Sequence, residues 1–102
     1  MKFTEEMVRT IHSAPYITLI TLDANGNPHP IIVGGKTITE NSIEIGIYKM
    51  EVTQDNLKTN GKTWVLASTA DNQKPKGYRF TGTSIVDKKS VIFIPDSAEN
   101  LL

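Results

Sequence analysis

Tyr16-Ile17-Thr18-Leu19-Ile20-Thr21-Leu22-Asp23-Ala24-Asn25-Gly26-Asn27-Pro28-His29-Pro30-Ile31-Ile32-Val33 decides the fold class of this chain. Its first seven residues are mostly β-branched or aromatic, the side chains that pack well on a pleated surface, and they predict a strand over Tyr16 to Leu22. Asp23 to Asn27 then turns the chain. Asn25-Gly26 is the strongest hairpin signal in the sequence, because these two residue types accept positive φ most readily. Pro28 to Val33 returns as a second strand. Pro28 and Pro30 cannot donate to a ladder, which places this strand at a sheet edge or makes its start irregular.

Upstream, residues 4–13 read as a short amphipathic helix. Thr4 is the expected N-cap, Glu5 and Glu6 suit the positive end of the dipole, and Met7, Val8 and Ile11 form the apolar stripe. Pro15 stops it. Downstream, Gly34-Gly35 loosens the backbone, and Ser42 to Tyr48 alternates like a half-buried strand. Val52 to Thr59 fits a helix ended by Asn60-Gly61. Lys62 to Ser68 is a strand carrying Trp64. Ala70 to Lys76, polar and interrupted by Pro75, reads as a loop. Gly77 to Val86 is a long strand, Asp87 to Lys89 a turn, and Ser90 to Ile94 the last strand, which Pro95 ends before a short tail. Many short strands with few helices predict a mainly β, six-stranded antiparallel barrel, closed or nearly so, because closure removes exposed edges. The two short helices flank it, and residues 1–102 form a single domain.

The chain has 102 residues, 38% of them hydrophobic and 22% charged, a size and composition that suit one globular domain. A chain this short buries a limited share of its surface, and pairing with a second copy would bury more. Eleven basic and eleven acidic residues cancel, whereas a general nucleic-acid binder carries a basic excess. The absence of cysteine excludes disulfides, thiolate metal sites and a cysteine nucleophile. Met1 to Glu6 is too polar for a signal peptide, and no apolar run approaches the roughly 20 residues that span a bilayer. The expectation is a cytoplasmic protein.

Catalytic constellations are missing. His12 and His29, the two histidines, stand in no metal-ligand spacing, and neither a nucleophile elbow nor a P-loop occurs. Three segments could face an anion or ring. Lys49 to Asn56 runs from a strand into a helix, whose first N–H groups suit a phosphate. The plain alternative is that Thr53 caps the helix and Lys49 is solvated. Val33-Gly34-Gly35-Lys36 lets a backbone approach a ligand closely, or is a simple turn. Lys74-Pro75-Lys76-Gly77-Tyr78-Arg79-Phe80 is basic with interleaved aromatics. On a strand Tyr78 and Phe80 share one face, either a base-stacking surface or a core face opposite a solvated Arg79. Trp64 suits a core or a dimer contact better than a ligand stack.

In order, these segments resemble the pyridoxamine 5′-phosphate oxidase-related family of FMN-binding split barrels, its small bacterial FMN-binding members included. Gly26-Asn27-Pro28-His29-Pro30-Ile31-Ile32-Val33-Gly34 looks like the family's Pro-His segment entering the second strand. Ile45-Gly46 through Asn56-Leu57 looks like its strand-to-helix turn, Met-x-Lys-Thr-x-x-Asn-Leu. Lys76 to Thr83 looks like the later strand ending in Gly-Thr, and Val91 to Ile94 closes the set. The resemblance covers nearly the whole chain. It implies a six-stranded split barrel that pairs as a homodimer and holds FMN at the subunit interface. Lys49, Met50, Thr53, Gln54 and Asn56 would lie at the phosphate, and Ile31, Ile32, Val33 and Gly34 beside the flavin. It further implies an FMN-dependent oxidoreductase or a small electron carrier, in which the cofactor carries the chemistry. One departure stands out: the family's turn lysine falls on Val52. Charge-assisted bonds are roughly twice as strong as neutral ones, so its loss weakens phosphate binding unless Lys49 or Lys36 substitutes. Two rivals follow: a split-barrel module holding another phosphorylated or planar ligand, and an OB-like nucleic-acid binder using Tyr78, Arg79 and Phe80.

Overall fold

The computed structural model describes residues 1–71 and 74–102. Helix α1 (Glu5–Ser13) starts where the sequence places it: Thr4 Oγ1 accepts the Met7 N–H at 3.2 Å. Strands β1 (Ile17–Leu22) and β2 (Pro28–Val33) form the expected hairpin, with Asp23 accepting the N–H groups of Asn25 and Asn27 at 2.9 Å each. Those bonds, the one from Asn27 first, hold the Asp23 carboxyl below its ordinary range. Next come β3 (Lys36–Ile38), β4 (Ile43–Gly46), α2 (Glu51–Thr59), β5 (Lys62–Asp71), β6 (Lys74–Asp87) and β7 (Ser90–Asn100).

All seven strands belong to one antiparallel sheet in the order β2-β1-β5-β6-β7-β4-β3. The six expected strands are present, and β3 is an addition. Its three residues are too short to show alternation, but Thr39 N–H donates to Ser42 O at 2.9 Å and closes it on β4 as a hairpin. Alternate residues turn inward and build the core: Leu19, Val65, Phe80, Val91 and Phe93 are fully buried, and Phe3 from the N-terminus packs edge-on to Phe80 at 5.1 Å. Pro28 and Pro30 sit on an edge strand, as their missing N–H groups require.

Two proline-based expectations need correction. Ala70 to Lys76 is not simply a loop: β5 runs to Asp71 and β6 starts at Lys74, with Pro75 opposite Ala70 near the ladder's end, while residues 72 and 73 lie outside the described residues. Pro95 does not end β7, which continues to Asn100. Pro95 pairs with Gly82 where the β6–β7 register shifts, so its missing donor falls at a bulge that breaks the ladder anyway.

Candidate functional site

The edge strands β2 and β3 follow one another through Gly34-Gly35 yet stand at opposite ends of the sheet order. The sheet curls until both flank one cleft of about 710 Å³, a size suited to a cofactor. This is the split in the barrel. Ile31, Ile32, Val33 and Gly34 line it from β2, Lys36 and Thr37 from β3, and Lys49 and Met50 from the approach to α2. Val33, Ile45 and Met50 are buried at its apolar floor, whereas Ile32 and Tyr48 are 67% and 77% exposed at its rim.

The approach to α2 is strained and uncapped. Lys49 has φ 52, the left-handed region that non-glycine residues rarely adopt. Met50 is the N-cap residue and has no side-chain acceptor to offer, so the first N–H groups of α2 lack a side-chain cap. The Lys49 ammonium lies 5.6 Å from the centre of the Tyr48 ring. Lys36 differs: its Nζ donates to Ala14 O at 2.7 Å and Gly34 O at 3.3 Å, which ties β3 to the end of α1.

Thr53, Gln54 and Asn56 do not line the cleft. Thr53 does not cap α2; it is the third helical residue, buried, and its Oγ1 has no hydrogen-bond partner. Asn56, three residues on and so on the same helix face, is also buried and donates through Nδ2 to Thr21 Oγ1 at 3.0 Å. This side-chain bond fastens α2 to β1 across the barrel end. Gln54 is half-buried beside them.

Glu44 from β4 and Ser90 from β7 complete the cleft and carried no local signal of it. Glu44 accepts from Ser90 Oγ at 3.0 Å on one wall, next to Gly46. Only the β4–β7 pairing, between segments more than forty residues apart, brings them to the cleft.

The nucleic-acid reading fails on burial. Tyr78 is 6% exposed and Phe80 fully buried, and their rings stack on each other at 5.7 Å, so neither offers a face to a base. Arg79 points outward and pairs with Glu99 at 2.8 Å. Among the described residues no group of three or more His, Asp or Glu side chains is placed to hold a metal ion, and no helix is long and apolar enough to cross a membrane.

No protein-family model and no curated protein matches the sequence. Solved structures do match. A pyridoxamine 5′-phosphate oxidase candidate from Lactobacillus delbrueckii is 20% identical with a TM-score of 0.80, over 96% of this chain and 93% of that one. An FMN-binding protein from Syntrophomonas wolfei is 18% identical with a TM-score of 0.75, over 92% and 82%. HutZ, the heme storage protein of Vibrio cholerae, is 12% identical with a TM-score of 0.72, over 98% and 95%.

Proposed function

From the split-barrel fold that this chain shares with FMN-binding and pyridoxamine 5′-phosphate oxidase-type proteins, we propose that it is an FMN-binding flavoprotein. In this reading it works as a cytoplasmic homodimer, as a flavin-dependent oxidoreductase or a small electron carrier.

The start of α2 carries the reading. Three unfavourable features meet there: helix N–H groups without a side-chain acceptor, a lysine beside the positive end of a dipole, and that lysine in a conformation costing about 1–2 kcal/mol. A phosphate relieves the first two at once, since it accepts from the N–H groups and pairs with the ammonium. Lys36 is committed to two carbonyls, so Lys49 takes the part of the lysine that falls on Val52. Thr53 contributes its main-chain N–H, while Gln54 and Asn56 act by placing the helix. The ring lies against Ile31, Ile32, Val33 and Gly34, whose apolar floor excludes water from one side of it. Bound FMN supplies the electron transfer.

Heme, the ligand of the storage protein of similar fold, is the competing reading. His12 is on α1 and His29 on β2, neither lining the cleft, so the side chains within one chain that could meet a heme iron there are Tyr48 and Met50 rather than an imidazole.

Titration of the purified protein with FMN, riboflavin and hemin tests this. FMN binds, riboflavin binds at least roughly tenfold more weakly for want of the phosphate, and Lys49→Ala narrows the gap, as expected when a charged hydrogen bond is lost. Equal affinity for FMN and riboflavin, or uptake of hemin alone, overturns the proposal.

A further inference from the structure

Resting on the flavin reading, we propose that two main-chain N–H groups, those of Ile32 and Lys36, select the ring by its hydrogen-bond acceptors. Asp23 N–H donates to Asn27 O at 2.9 Å, one residue beyond the Leu22–Pro28 pair. Antiparallel ladders alternate between pairs that exchange hydrogen bonds and pairs that do not. The exchanging pairs of this hairpin are therefore Thr21–His29, Leu19–Ile31 and Ile17–Val33. The backbones of Pro28, Pro30 and Ile32 then turn away from β1, to the side where β2 has no neighbouring strand.

The prolines agree with this phase, because each stands where an N–H would have pointed out of the sheet. They also blunt the edge. Ile32 is the first residue of β2 to present a donor along it. The same count holds on the other lip. Thr39 N–H donates to Ser42 O, so Thr37–Glu44 exchanges bonds and Lys36 turns its N–H outward from β3, the opposite edge of the sheet. Ile32 and Lys36 both line the cleft. Their C=O groups turn outward with them, so the two edges of the cleft carry both donors and acceptors, which suits a flat ring with a polar rim, as the carbonyls, ring nitrogens and ring N–H of an isoalloxazine provide. A purely hydrocarbon ring of the same size would leave both donors dry, which costs binding.

The test replaces one N–H and watches both. Ile32→Pro continues the alternation of Pro28 and Pro30 and removes only an outward donor, whereas Ile32→Ala removes the exposed side chain and keeps the donor. Ile32→Pro should bind FMN roughly tenfold more weakly than Ile32→Ala. Amide hydrogen exchange on the wild-type protein supplies the second arm and needs no variant to fold. The Ile32 and Lys36 amides should exchange fast without ligand and slow with FMN, while Ile31 stays protected throughout. Equal affinity of the two variants overturns the inference while leaving the flavin reading intact. Amides already protected without flavin, the mark of a second chain's strand along that edge, overturn it too. Wild-type protein that takes up no FMN defeats both readings together.

Discussion

Tyr78 acts through both ends of its side chain. Its ring stacks on Phe80 in the core, and its hydroxyl donates to the Glu6 carboxylate, which ties α1 to β6. That hydrogen bond, then burial and the Glu6 charge, pushes the phenol up to about 12 from 10.0. The same bond, then the Lys76 and Arg9 charges, holds Glu6 below its ordinary value against some desolvation. The two signs differ. Tyr78 is raised in the folded state, so its contribution is complete below pH 10 and disappears as pH climbs toward 12. Glu6 is lowered, so its contribution holds above the ordinary carboxylate range and disappears as acid protonates it. Tyr78→Phe keeps the ring and loses the bond. It should cost about 1 kcal/mol at neutral pH, and urea unfolding should show the wild-type advantage vanishing across the alkaline window. An advantage that persists unchanged through that window would refute the coupling.

At the scale of elements, Gly82 decides whether β6 and β7 can bend together. A Cβ built there would overlap the Ile94 carbonyl oxygen and meet Pro95 Cα at 2.9 Å, both backbone atoms that cannot swing aside. Gly82→Ala should therefore cost about 3 kcal/mol, the upper end of overpacking penalties. Gly26→Ala, with φ 82 and open space around it, should cost about 1 kcal/mol through strain alone. Denaturant midpoints of the two variants check the ranking, and a Gly82→Ala protein as stable as Gly26→Ala would show that the bulge is soft. The bulge also explains which elements could be read in advance. Thr4, the Asn25-Gly26 turn and the edge prolines act within a few residues of their own position, so the sequence displays them. Pro95 was misleading because its tolerance depends on a glycine thirteen residues upstream, on another strand. The cleft divides along the same line. Ile31 to Gly34, Gly46 and Lys49-Met50 were legible through ordered motifs, whereas Glu44 and Ser90 enter only through the β4–β7 register. Asn56 is placed at the phosphate by its motif position, and its bond to Thr21, from a strand more than thirty residues away, is not visible in that motif.

For the whole molecule, the outward side of the sheet is the counterpart of its packed inside. Along β6 and β7, Ser84, Val91 and Phe93 turn in, while Ile85 and Ile94 turn out at 57% and 45% exposure, with half-buried Ile92 paired to Ile85. Trp64, half-buried on the outward side of β5 opposite Thr81, stands apart from this patch, with the Lys62 ammonium 5.3 Å from its ring centre. Water against such a patch is costly, and clustered exposed isoleucines mark a contact surface more often than isolated ones do. A second copy covers it under the homodimer reading, and a flavin beside that contact would gain a wall from the partner. Light scattering should then give twice the 11.3 kDa chain mass. Ile85→Glu with Ile94→Glu should leave the fold intact, because neither side chain belongs to the core. Each buried isoleucine contributes about 1.5–3 kcal/mol, so the double change should weaken pairing by at least roughly a hundredfold. FMN affinity should fall with it. A wild-type monomer at all concentrations, or a double variant that still pairs, would place the contact elsewhere. Pairing lost with FMN affinity unchanged would instead assign the whole cofactor site to one chain.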